Sequence, residues 1–77
     1  MFDEFRRDAK RLAKERGLTY AKIADEAGIC ENTIKCFMCG ANDSRRVAEK
    51  IANVLEMSIL YRDGEFFAIA DHENNGA

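Results

Sequence analysis

Apolar residues recur at helical spacing through most of the chain and at strand spacing near its end. Phe2, Phe5, Ala9, Leu12 and Ala13 form one stripe, which predicts a first helix over residues 2–16, closed by Gly17. Asp3 and Glu4 fall in its first turn, where acids suit the helix dipole. Arg6, Arg7, Lys10, Arg11 and Lys14 are expected on its outer face, either as a solvated surface or as a stripe facing phosphate or a partner. Thr19 is a good N-cap, since its hydroxyl can satisfy a free backbone amide, and Ile23, Ala24 and Ala27 then repeat the helical spacing. Gly28 and Ile29 interrupt it, at a turn that wants a residue tolerant of positive φ. Ile34, Phe37 and Met38 resume it, so a third helix is expected from about Glu31 to Cys39, closed by Gly40. After a loop over Ala41 to Asp43, with Asp43 or Ser44 as cap, Val47, Ala48, Ile51, Ala52, Val54 and Leu55 predict a strongly apolar fourth helix.

From Ser58 the period becomes extended. SILYR and EFFAI flank Asp63-Gly64, the signal of a two-residue type I′ hairpin. The pairs should be Arg62 with Glu65, Tyr61 with Phe66, Leu60 with Phe67 and Ile59 with Ala68. Leu60 and Phe67 then share one face, and Ile59, Tyr61 and Phe66 the other. Only one face can pack on the helices, and a lone hairpin is marginal in water. A homodimer through Ile59, Tyr61, Phe66 and Phe67 is therefore expected, unless the C-terminal segment folds back over the second face. The expected organisation is a helical domain over 1–56, a hairpin over 57–70 and a flexible polar tail over 71–77.

Composition narrows the function. Seventy-seven residues make one small domain, in which oligomerisation would help to build a core. No apolar run approaches a membrane span and the N-terminus lacks the apolar centre of a signal peptide, so a cytoplasmic protein away from membranes is expected. The net charge of −2 hides an asymmetry: residues 5–50 hold 11 Lys/Arg against 7 Asp/Glu, and residues 63–77 hold four acids and no base. That distribution permits a nucleic-acid partner without demanding one.

Two amphipathic helices meeting through a short glycine-containing turn make a helix-turn-helix, which lays its second helix in the DNA major groove. Leu18, Thr19, Tyr20, Ile23, Ala24, Gly28, Ile29, Cys30, Thr33, Ile34 and Phe37 occupy the slots in which this stretch resembles the phage repressor and Cro family, also called the XRE family. With the flanking helices the resemblance covers about residues 2 to 56. It implies a mainly α, four-helix repressor-like domain, here followed by the hairpin, and a DNA surface formed by the outward residues of the third helix: Glu31, Asn32, Thr33, Lys35 and Cys36. Asn32 can pair with an adenine edge and Lys35 with guanine or phosphate, whereas Glu31 suits only a cytosine amino group. In the resemblance the Tyr20 slot contacts phosphate; packing on the first helix is the alternative. Arg45 and Arg46 sit in a first turn against the dipole preference, beside a loop that in relatives lies along the backbone of DNA, which suggests phosphate contacts or a surface accident. Two slots depart from the family together. Met38 replaces the usual Glu and Ala13 the usual Arg, exchanging a partly buried ion pair for an apolar one at little cost.

Cys30, Cys36 and Cys39 lie on or beside the third helix, the last two as neighbours on one face. Unreactive reduced thiols, with Cys30 standing where the family has Ser, compete with a redox or metal sensor. Zinc would need a fourth ligand, and the only histidine, His72, lies in the tail, so no metal and no cofactor are expected. Without paired carboxylates, a phosphate-binding glycine loop or a histidine positioned by a cysteine, an enzyme is not expected. The sequence points to a transcriptional regulator that binds an operator in double-stranded DNA as a dimer. The rival is a protein-binding module on the same fold, resembling helix-turn-helix anti-CRISPR inhibitors or an antitoxin.

Overall fold

The helices form where the apolar spacing puts them. A computed structural model describes residues 1–70 and contains, in chain order, α1 (Asp3–Glu15), α2 (Tyr20–Ala27), α3 (Glu31–Met38), α4 (Arg45–Leu55), β1 (Met57–Arg62) and β2 (Glu65–Ala70). The domain is mainly α, four helices with one antiparallel two-stranded sheet. No helix among the described residues is long and apolar enough to cross a membrane. The expected flexible tail, with His72, lies outside the described residues.

Each helix contributes its apolar stripe to one core. Phe5, Ile23, Ile34, Phe37, Met38, Ile51 and Leu55 are fully buried, with Phe2 beside them from just before α1. Four phenylalanines join α1, α3 and the hairpin: Phe2 stacks on Phe66 at 4.4 Å and meets Phe37 edge-on at 5.3 Å, and Phe5 meets Phe37 at 5.9 Å. Such ring pairs each contribute about 0.5–1.5 kcal/mol beyond the area they bury. Ala13 and Met38 are both buried.

The hairpin has the expected register, with Arg62 opposite Glu65 and Tyr61 opposite Phe66, and Asp63 and Gly64 both have positive φ (53° and 80°), as a type I′ turn requires. It belongs to the same core as the helices. Phe66 is 7% exposed, Met57 is buried and Ile59 and Ala68 pack partly against the core. This corrects the expected dimer surface: Phe66 is occupied inside its own domain, and Ile59 is half covered. The outward apolar residues are Tyr61 (61% exposed), Leu60 (40%) and the half-buried Phe67.

A second correction concerns α1. Arg6, expected on the outer face, is 8% exposed. Its guanidinium donates from Nε to the Phe37 carbonyl at 2.5 Å, and one terminal nitrogen donates to the Asn42 carbonyl and to Asp43 Oδ1, both at 2.7 Å. It also lies 4.7 Å from the centre of the Phe37 ring. Arg6 thus puts a buried guanidinium at the carbonyl end of α3.

Candidate nucleic-acid interface

The geometry of α3 is set from the turn before it. Thr19 caps α2, its hydroxyl accepting from the Lys22 N–H at 3.1 Å. Gly28 ends α2 at φ 73°, and Ile29 N–H bonds back to the Ala24 carbonyl at 3.0 Å, so three residues, Gly28 to Cys30, turn the chain into α3. Only glycine adopts that φ without strain. Cys30 holds the N-cap backbone conformation, φ −72° and ψ 140°, but its side chain makes no capping bond. The inward face of α3 is Ile34, Phe37 and Met38, and Arg6 fixes its far end.

That leaves one face of α3 outward. Glu31, Asn32 and Lys35 are exposed, and Thr33 and Cys36 are half-buried at its margin. Lys35 Nζ is 3.3 Å from Glu31 Oε2 one turn earlier. Exposed pairs of this kind are worth only a few tenths of a kcal/mol, so Lys35 can exchange its partner for another anion at small cost. Tyr20 is half-buried and packs against the core, which favours the packing role over a free phosphate contact.

The loop after α3 ends at Ser44, whose hydroxyl accepts from Val47 N–H at 3.3 Å and caps α4. Arg45 and Arg46 are both exposed but differ in partners. Arg45 pairs with Glu49 at 3.2 Å and lies 5.7 Å from the Phe66 ring, so it leans toward the hairpin. Arg46 makes no ion pair with a described residue, and neither do Lys10 and Lys14. The rest of the α1 stripe is engaged: Arg7 with Glu4 at 3.1 Å, and Arg11 with Asp8 and Glu15 at 3.8 and 3.2 Å. Of the residues expected to meet DNA, Asn32, Lys35, Arg45 and Arg46 are the accessible donors, and of the three cations only Arg46 has no ion-pair partner among the described residues.

Two residues that organise this region escaped sequence reasoning. Arg6 completes the α1 stripe at the i+4 position from Phe2, so an arginine in an apolar slot was the available signal. Glu65 had no local signal. Its carboxylate accepts the Glu4 N–H at 3.0 Å and faces the Met1 ammonium at 3.5 Å, capping α1 from the other end of the chain. The Glu4 backbone bond, helped by that ammonium, holds the Glu65 carboxyl below its ordinary pKa. Among the described residues no group of three or more His, Cys, Asp or Glu side chains could hold a metal ion. No protein-family model, curated protein or solved structure matches the chain.

Proposed function

We propose that the chain is a sequence-specific DNA-binding transcriptional regulator in which α2 and α3 act as a helix-turn-helix and α3 enters the major groove of an operator. The observation that carries this reading is the three-residue connection at Gly28, joining two helices of eight residues and leaving Asn32 and Lys35 outward on the second. A helix so short, anchored along one side and bare along the other, is suited to a groove about 12 Å wide. Asn32 would read an adenine edge, Lys35 a guanine edge or phosphate, and Arg46 a phosphate beside it. A second copy, meeting the first through the hairpin face of Leu60 and Phe67, would place two α3 helices on two half-sites about one helical turn apart.

Two observations favour a protein target instead. Lys35 is already paired with Glu31, and Leu60 and Tyr61 offer exposed apolar surface. On that reading the chain is an inhibitor or antitoxin built on the same frame. Selection of retained sequences from random duplex DNA at two salt concentrations separates the two. Salt-sensitive enrichment of one palindromic motif supports the regulator, with Arg46→Ala reducing the salt slope by about one. A folded protein that retains nothing above background refutes it.

A further inference from the structure

We propose that Cys36 and Cys39 form a dithiol that a hydroperoxide closes into a disulfide, reshaping the last turn of α3. Its consequence for DNA rests on the function proposed above; the chemistry does not.

The two thiols occupy the final turn and the C-cap of α3. Cys39 is exposed and Cys36 half-buried, and the Cys39 thiol donates to the Cys36 carbonyl at 3.4 Å, so its sulfur is folded back over the turn that carries the other. Cys39 also lines a groove between α1 and the end of α3, where Arg7 and Lys10 form part of the opposite wall. Asp3, the acid of that groove, is engaged by Arg6 at 3.5 Å and Arg7 by Glu4 at 3.1 Å, which leaves Lys10 as its cation without an ion-pair partner among the described residues. Electropositive, partly exposed surroundings are where redox-sensing cysteines are found. Cys30 stands alone at the opposite end of the helix.

Residues three apart on a helix hold their Cβ atoms about 5–6 Å apart, and a disulfide needs about 3.5–4.5 Å. Closure must therefore draw Cys39 inward by about 1–2 Å. Gly40, at φ 90°, follows Cys39, and a glycine there lets the backbone take up other dihedrals without a Cβ penalty. The bonds at stake are Cys39 N–H to the Lys35 carbonyl (3.0 Å), Gly40 N–H to the Phe37 carbonyl (3.1 Å) and Ala41 N–H to the Cys36 carbonyl (2.8 Å). Arg6 docks on the same Phe37 carbonyl. Oxidation thus acts on the turn that fixes the outer face of α3.

The chemistry closes without a further reactant. The Cys39 sulfur attacks one oxygen of the hydroperoxide; the O–O bond breaks, an alcohol leaves and a sulfenic acid remains. The Cys36 thiol then attacks that sulfur; the S–S bond forms, the S–O bond breaks and water leaves with the proton. The two sulfurs together lose two electrons and the peroxide gains them.

Trypsin cuts after Lys22, Lys35 and Arg45, so both thiols fall in one peptide, 36–45, and Cys30 in another, 23–35. The full chain is treated with an alkyl hydroperoxide and analysed by peptide mass spectrometry and amide hydrogen exchange. The expected result is loss of two hydrogens, about 2 Da, within peptide 36–45, reversed by dithiothreitol. Exchange at Cys39 to Ala41 should rise in the wild type and in Cys30→Ser but not in Cys36→Ser or Cys39→Ser. Binding to the duplex enriched in the random-sequence selection should fall at least tenfold on oxidation in the first two proteins only. A linked peptide with faster exchange, in a reduced protein that binds no DNA, upholds the dithiol and refutes the regulator. Peptide 36–45 remaining unlinked, or equal loss of binding in oxidised Cys36→Ser, overturns the proposal.

Discussion

Replacing Arg6 with alanine should be among the costliest single substitutions in this domain. Its guanidinium serves two backbone carbonyls, Phe37 and Asn42, and sits over the Phe37 ring. Hydrogen bonds from a charged donor contribute about 1.5 kcal/mol each at the low end, giving about 3 kcal/mol for the two carbonyls. The ring contact adds about 1 kcal/mol. The bond to Asp43 adds little, because that side chain is 57% exposed and its charge is well hydrated. The expected loss is about 4 kcal/mol, a large part of the 5–15 kcal/mol typical of a domain, and it corresponds to a fall in Tm on the order of 15–30 °C. Urea unfolding followed by far-UV circular dichroism measures it. Arg6→Lys should recover only part, since an ammonium cannot reproduce the planar fork. Asp43→Ala should cost less than about 1 kcal/mol. An Arg6→Ala loss below about 1 kcal/mol, or an Asp43→Ala loss as large as that of Arg6→Ala, would refute the assignment of the energy to the carbonyl bonds.

Three further outcomes can be checked by urea or thermal unfolding followed by the same circular dichroism signal. Cys30→Ser should stabilise by about 0.5–1 kcal/mol, because the N-cap conformation is already present and only the capping oxygen is missing; no gain would mean the α3 N-terminus is satisfied in another way. Glu56→Gly should raise Tm by several degrees, since Glu56 ends α4 at φ 56°, where a non-glycine residue is strained by about 1 kcal/mol; a fall in Tm would show that the Glu56 side chain contributes more than its strain costs. Glu65, whose folded pKa is depressed, stabilises the domain above the ordinary glutamate pKa, and that contribution disappears as pH falls through the lower folded value. Glu65→Gln should flatten the acid limb of the stability profile below about pH 4 and leave its shape near neutrality unchanged; an unaltered acid limb contradicts the cap.

Local chemistry wrote most of this fold into the sequence. Thr19 and Ser44 cap helices, Gly28 turns the chain and Asp63-Gly64 sets the hairpin register, each through partners within a few residues. What was hidden depends on partners far along the chain. Arg6 looked like one more surface cation until the end of α3 brought it the Phe37 and Asn42 carbonyls, 31 and 36 residues away. Phe66 and Tyr61 were equivalent on one hairpin face, and only the position of Phe2 decides that Phe66 goes inside. The candidate DNA surface was legible as positions on α3, but the pairing of Lys35 with Glu31 and of Arg45 with Glu49 is a matter of side-chain geometry.

The cap on α1 also constrains how the domain can be made. Glu4 N–H is satisfied by Glu65, Phe66 N–H donates to the Met1 carbonyl at 2.9 Å, and Phe2 stacks on Phe66. Residues 2 to 4 therefore wait for partners more than 60 residues further along the chain. A chain that stops before Glu65 leaves the Glu4 N–H without its carboxylate and the stacked face of Phe2 uncovered. Closing β2 onto the start of α1 is a non-local contact, 61 residues apart in the chain, of the kind that slows folding.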